Sequence, residues 1–322
     1  MRRLVEVVSR HWKGVAKALV ALVILGFVGR QFYRDLSQPD LALLQIRWTW
    51  LALCPALYLA GLGFSAWFWR DVLKRLGYTL GGRDTLRGYY IGHLGKYVPG
   101  KAWAMLLRGS LVRHAAPLAP AILSAFYEVL TTMAAGALVA IGVFIVVPPE
   151  VEAMSWQPLY TGLLLLALLA VPLLPGVFNY LMLRLSRRFP AILGEDLGAL
   201  RLTTLVRGLL ATACGWLLLG LSVWAMLQAV LPAPPDLGAE TWARITGATA
   251  LAYVAGFLAL VLPSGVGVRE YFLLALLGFA GPEPLIAAAV LLLRLAWTAS
   301  EMACAAVLWC WPRRQGAGAS SH

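Results

Sequence analysis

Hydrophobic positions in this chain come in long unbroken runs, and polar ones are confined to short clusters between them. A helix needs about 20 apolar residues to cross the hydrocarbon core of a bilayer. Six runs reach that length, roughly at 15–36, 48–70, 117–147, 158–183, 205–231 and 284–311. Two further stretches are apolar but interrupted. Residues 84–113 carry Lys96, Lys101, Arg108 and a Pro99-Gly100 break, and residues 242–281 are divided by "LPSGVGVRE" (262–270). The pattern predicts an all-α integral membrane fold with about six full spans and two broken segments.

Loop charge orients the spans, because cytoplasmic loops carry the Lys/Arg excess. Arg2, Arg3, Arg10, Lys13 and Lys17 precede the first run, and Arg70, Lys74, Arg75, Arg83 and Arg87 follow the second. Arg184, Arg187 and Arg188 follow the fourth, and Arg313 and Arg314 follow the last. The loops "VPPEVEAMSWQP" (147–158) and "LPAPPDLGAE" (231–240) hold acids and prolines without Lys or Arg, so they face the other side. Arg47, in the loop at 37–47, is the discordant residue. Both termini are expected in the cytoplasm. Parity then makes 84–113 enter and leave from the cytoplasm, and makes 242–281 return to the outside. Each is expected to be a re-entrant hairpin, since broken backbone at membrane depth survives only beside protein or a water-filled cavity. The alternatives are a surface amphipathic helix for 84–113 and two ordinary spans for 242–281, which gives eight spans. Residues 48–147 and 205–311 then share the order span, broken hairpin, span in opposite orientations. That is an inverted-repeat-like arrangement, which in transporters places the substrate site near the bilayer midplane.

Composition narrows the class. With 322 residues, 61% hydrophobic and 13% charged, and a mean hydropathy of +0.77, a soluble globular protein is excluded. One polytopic membrane domain is expected over 1–322, with 312–322 as a short cytoplasmic tail. The net charge of +12 sits in clusters beside apolar spans, which is the pattern of topology and anionic-lipid contact and not of nucleic-acid binding. The apolar run at the N-terminus is too long for a signal peptide and lacks a clear cleavage site, so it is read as a retained helix. Cys54, Cys214, Cys304 and Cys310 have no metal-ligand spacing and His93 has no second histidine nearby, so neither metal nor cofactor is expected. Trp48, Trp50, Trp67, Trp69, Trp156, Trp309 and Trp311 fit interfacial belts.

The two breaks carry the candidate chemistry. A helix starts after Pro99-Gly100 and another after "PSGVG" (263–267), and helix N-termini offer unpaired N–H groups and the positive end of the dipole to an anion. Lys101 and Arg269 stand in those first turns, the unfavourable end for a cation. Glu270 is near enough in sequence to offset Arg269, whereas Lys96 and Lys101 have no acid nearby. A phosphate suits them; snorkelling to headgroups is the competing reading. "GKYVPGK" (95–101) has the spacing of a phosphate-binding P-loop, but Ala102 stands where Ser or Thr would reach magnesium and no strand precedes it, so the match is chance. Glu128 and Glu301 lie within matching spans, each at a cost of roughly 2.5–3.5 kcal/mol on insertion scales. They are read as lining one cavity, the alternative being structural ties to neighbouring helices. Arg294 precedes Glu301 by two turns and shares its face, about 10 Å away.

Taken together, "GKYVPGKAW" (95–103), "SAFYEVL" (124–130), "LPSGVGVRE" (262–270) and "LLLRL" (291–295) resemble the flippase-like family, also called the lysylphosphatidylglycerol synthase transmembrane-region family. The similarity runs in order from the second span to the last. It implies an integral membrane protein that moves lipids or lipid-linked headgroups between leaflets. By position it places the family's motif residues on Lys96, Pro99, Gly100, Lys101, Glu128, Pro263, Gly265, Gly267, Arg269, Glu270 and Arg294. Bifunctional members carry a soluble aminoacyl-transferase domain after the membrane region, and this chain stops at His322, so it is not expected to synthesise lysylphosphatidylglycerol.

The resulting expectation is a lipid flippase-like transporter of the cytoplasmic membrane, not an enzyme. Lys96, Gly100, Lys101, Glu128, Gly265, Gly267, Arg269, Glu270, Arg294 and Glu301 would form its substrate site. Its partners would be anionic, aminoacylated or polyprenyl-phosphate lipids, with a lipid-modifying enzyme or glycosyltransferase as a conceivable protein partner. The rival readings are a membrane-bound lipid-modifying enzyme using Glu128 or His93 as general base, and a non-transporting partner of a glycosyltransferase.

Overall fold

The computed structural model describes residues 46–98, 102–148, 157–188, 198–258 and 267–311. The expected first span (15–36), the Pro99–Lys101 break, the turn holding Pro263 and Gly265, and the C-terminal tail lie outside the described residues. All regular structure among the described residues is helical.

Among the described residues four long helices form the frame: α1 (Trp48–Arg75), α4 (Leu118–Val146), α7 (Leu202–Val230) and α10 (Glu283–Cys310). Each is long and apolar enough to cross a membrane, and they coincide with the expected second, third, fifth and sixth spans. The expected fourth span is different. It is two helices, α5 (Gln157–Leu173) and α6 (Pro175–Arg188). Pro175 is favoured in the first turn of a new helix, where its missing N–H costs nothing. Helix α6 buries a stripe of Phe178, Met182 and Ser186. It leaves Tyr180, Leu181 and Leu183 exposed beside Arg184, Arg187 and Arg188, the composition of a helix lying along an interface.

Helices α1 and α7 run antiparallel in close contact. Arg47 N–H donates to Ala229 O (3.0 Å) at one end, and Phe68 fills the space over Gly208 toward the other. Between them Gly61 faces Gly215, where an added Cβ would sit 2.9 Å from the Gly61 carbonyl oxygen. Small residues there let the two backbones meet. The discordant Arg47 has its explanation here. Its guanidinium donates to Gln228 O (3.3 Å) and Pro232 O (3.1 Å), placing a cation on the orphan carbonyls and negative dipole end of α7.

Helix α4 packs on α7, where Trp216 lies over Gly136 and donates to Thr132 O (2.8 Å). Helix α10 closes the bundle against α1, α7 and the first hairpin. Trp48 and Trp309 are exposed at helix ends, as belt residues should be. Trp69 is not a belt residue: it is fully buried and donates to Ser124 Oγ (3.0 Å).

Because α1 and α7 are antiparallel, the broken segments that follow them enter the bundle from opposite ends. The first segment comprises α2 (Gly82–Leu86), a π turn (Arg87–Ile91), a 3-10 turn (Leu94–Tyr97) and α3 (Ala102–Leu111). Its two arms touch along glycines. A Cβ on Gly95 would sit 2.5 Å from Ala104 Cα, so a larger residue there would force the arms apart. The base of this hairpin grips the end of α10. Arg87 donates to Trp311 O (2.8 Å), and Arg83 lies over the Trp311 ring at 4.8 Å. The second segment is α8 (Ala239–Leu258) packed beside α9 (Val268–Leu277), with a 3-10 turn (Gly278–Ala280) leading into α10. Helices α3 and α9 have 10 residues each. That is about 15 Å, half the hydrocarbon thickness.

Candidate functional site

Among the described residues, three ionic groupings lie where the hairpins meet the long helices. The first is sealed. Arg108, on α3, donates to Glu128 Oε2 of α4 (2.6 Å), and both side chains are almost fully buried, at 3% and 1% exposure. Glu128 Oε1 also accepts from Thr132 Oγ1 (3.1 Å) and Tyr89 OH (3.3 Å). The Arg108 guanidinium sits 4.0 Å from the Tyr89 ring centroid. Cation, carboxylate and hydroxyls satisfy one another inside apolar packing, apart from Arg108 Nε, which has no partner among the described residues.

The second grouping joins the first hairpin to α10 and α1. Lys96 donates to Glu301 Oε1 (2.5 Å) across 205 positions of sequence, and Tyr58 OH donates to the same oxygen. Tyr97 OH donates to Glu301 Oε2 (2.8 Å) and lies 3.0 Å from Thr298 Oγ1. His93 Nε2 accepts from Lys96 at 3.0 Å. Behind these groups Tyr58 stacks on Trp297 with centroids 4.1 Å apart, and Trp297 Nε1 donates to Ser222 Oγ (2.9 Å). The stack fixes the Tyr58 hydroxyl on Glu301. His93 also stacks on Tyr89 at 6.0 Å, which links this grouping to the sealed one.

The third grouping sits at the start of α9. Gly267 has φ +89, a left-handed conformation that glycine adopts without strain, and it turns the chain into the helix. Glu270 Oε2 accepts from Gly267 N–H (2.7 Å). Its other oxygen accepts from both Arg269 and Arg294 at 3.0 Å each. Arg269 also lies 4.5 Å over the Tyr253 ring, and its buried Nε has no partner among the described residues. The Tyr253 ring beneath Arg269 lies 5.4 Å from Trp297, on which Tyr58 stacks, so the second and third groupings share one aromatic floor and form one charged region. Among the described residues it holds three cations (Lys96, Arg269, Arg294) and two carboxylates (Glu270, Glu301), a surplus of one positive charge. Its rim is open: Lys96, Arg294 and Glu270 keep 26%, 21% and 23% of side-chain exposure.

Several sequence expectations change against this geometry. Lys96 does not reach outward to headgroups; Glu301, remote in sequence, holds it inside. Glu128 and Glu301 do not stand free on one cavity, because each is consumed by its own set of donors. Arg294 and Glu301 share a helix yet take different partners. The N–H of Gly267, expected to face an anion, is taken by Glu270. Gly100, Lys101 and Gly265 lie outside the described residues. Sequence reasoning gave no role to Tyr58, Tyr97 or Arg108. The signal was slight: a tyrosine inside "ALYLAGLG" (56–63), and a tyrosine and an arginine within the broken segment.

The family model for the lysylphosphatidylglycerol synthase TM region matches residues 14–299. The chain belongs to this family. None of the curated proteins compared with it matches. Family membership and the four apolar helices make it an all-helical, multi-pass membrane protein from a family associated with lipid modification or flipping. The lysylphosphatidylglycerol synthase TM-region match takes in every residue of the three ionic groupings except Glu301, which lies two positions beyond its end.

Proposed function

We propose that the protein is a lipid flippase-like transporter that moves a phosphate-bearing lipid, or a lipid-linked headgroup, between the leaflets of the cytoplasmic membrane. The surplus positive charge of Lys96, Arg269 and Arg294 over Glu270 and Glu301, at a half-open position between the two hairpins, carries the reading. An uncompensated cation in a membrane interior is costly, and a phosphate oxyanion offsets it with charge-assisted hydrogen bonds. Entry of the hairpins from opposite ends adds support, as transporters built on inverted halves bind substrate where broken helices of both halves meet. In this reading Lys101 and Gly100 belong to the same site.

The test is reconstitution in liposomes with fluorescent phospholipids and polyprenyl phosphates. Transbilayer exchange of phosphate-bearing lipids should accelerate over protein-free vesicles and slow in Arg294→Ala. No acceleration for any of them would sink the transporter reading. A chemically altered lipid in the same vesicles would favour the lipid-modifying enzyme instead.

A further inference from the structure

Glu301 is nearly without solvent contact and is held by Lys96, Tyr58 and Tyr97. Lys96 is the cation of the open region whose charge is already spent, because its ammonium sits on Glu301 at 2.5 Å. To serve an incoming anion, Lys96 must give up that contact. A bare carboxylate would then remain buried with two phenols and the His93 ring, 3.7 Å away, in place of the fixed ammonium, an arrangement heavily penalised away from water. A protonated carboxyl removes the charge and can still accept from Tyr58 and Tyr97. Resting on the anion-site reading above, we infer that anion and Glu301 compete for Lys96, and that Glu301 takes up one proton from water as the anion binds.

Other charged and titratable groups face this point from each neighbouring element. Tyr58 comes from α1, and His93 and Tyr97 come with Lys96 from the first hairpin. Tyr253 belongs to α8, Arg269 and Glu270 to α9, and Arg294 to α10 itself. Glu270 is less suited to the exchange. It is already shared by two guanidiniums and a backbone N–H, so losing one donor does not strand its charge. Binding and protonation are reciprocal by linkage: acid tightens anion binding, and the anion draws in a proton. Carried across the bilayer, this couples lipid movement to a proton gradient.

The experiment uses the purified full chain in detergent and dihexanoyl phosphatidylglycerol, whose phosphodiester stays singly charged across the pH range used. Titration calorimetry in two buffers of different ionisation heat counts protons taken up on binding. The wild type should take up close to one proton per lipid at neutral pH, with affinity falling by up to about tenfold per pH unit. Glu301→Gln should bind at every pH as tightly as the wild type does at its most acidic, with no uptake. Lys96→Ala should bind weakly throughout.

Wild-type binding with no proton uptake would overturn the coupling and leave the anion site standing; that measurement needs no variant to fold. A pH slope kept in Glu301→Gln but lost in His93→Gln would move the proton to the histidine and overturn the assignment. Binding no tighter than dihexanoyl phosphatidylcholine, unaffected by Lys96→Ala, would remove the anion site itself and the inference with it.

Discussion

Two corners of this molecule use the same ingredients to opposite ends. In each, the short second arm of a hairpin is tied by an ion pair to the long helix that follows. In the first the arm supplies the cation and the long helix the acid, Arg108 on Glu128; in the second the polarity reverses, with Glu270 on the arm and Arg294 on the helix. The first pair is balanced and closed, at 3% and 1% exposure. The second is unbalanced and half open, with Arg269 and Arg294 on one oxygen of Glu270. Burial explains the difference. A sealed site in apolar surroundings must be nearly neutral and self-satisfied, whereas an open one can hold net charge because water or a ligand completes it. The first corner is therefore read as a tie and the second as a site.

The comparison stands only if the hairpins enter from opposite sides, and the effect that tests this is all-or-none. Single cysteines in a cysteine-free background should react with an impermeant thiol reagent from outside at Asp236, and not at Arg75 or Arg187. Equal labelling of Asp236 and Arg75 from one side would undo the opposed geometry.

Next in size is the sealed pair. Arg108→Ala or Glu128→Gln strands a buried charge, so each should destabilise the protein by about 3–5 kcal/mol, read as a fall in melting temperature in detergent. The double replacement Arg108→Leu with Glu128→Leu should recover most of that loss. A Glu128→Gln protein that melts like the wild type but no longer transports would make the first corner functional and erase the contrast.

The open corner should show the reverse balance. Arg294→Ala is expected to weaken binding of phosphate-bearing lipid by about 1.5–3 kcal/mol, roughly ten- to a hundredfold. Its stability should change by less than about 1 kcal/mol, because the pair is partly exposed and Glu270 keeps Arg269. Lys101→Ala, the change suggested by "GKYVPGKAW", should weaken binding by a similar amount. Unaltered affinity in both would leave the surplus charge without a ligand.

The smallest effect belongs to a cation in neither corner. Arg47→Ala removes the charge from the end of α7 and should cost about 0.3–1 kcal/mol in thermal stability, with transport unchanged. A transport defect there would mean that the α1–α7 contact, and not the hairpin tips, governs activity.

Much of the frame was legible in the sequence because it depends on properties that accumulate along the chain. Apolar length and loop charge gave four helices now seen over Trp48–Arg75, Leu118–Val146, Leu202–Val230 and Glu283–Cys310, and Pro-Gly and Gly-rich breaks marked both hairpins. The same averaging merged α5 and α6, since hydropathy barely registers a bend at Pro175. The motif residues Lys96, Arg269, Glu270 and Arg294 were also visible as polar exceptions in apolar runs. Their partners were not. Lys96 and Glu301 lie 205 residues apart, and only the meeting of a hairpin from one end with a helix begun at the other joins them. Sequence fixes how much charge the membrane interior must hold, because each residue's transfer cost is its own. Which charges cancel and which remain for a ligand is a matter of distances of a few ångströms, and those were decided by the packing of antiparallel helices on their small residues.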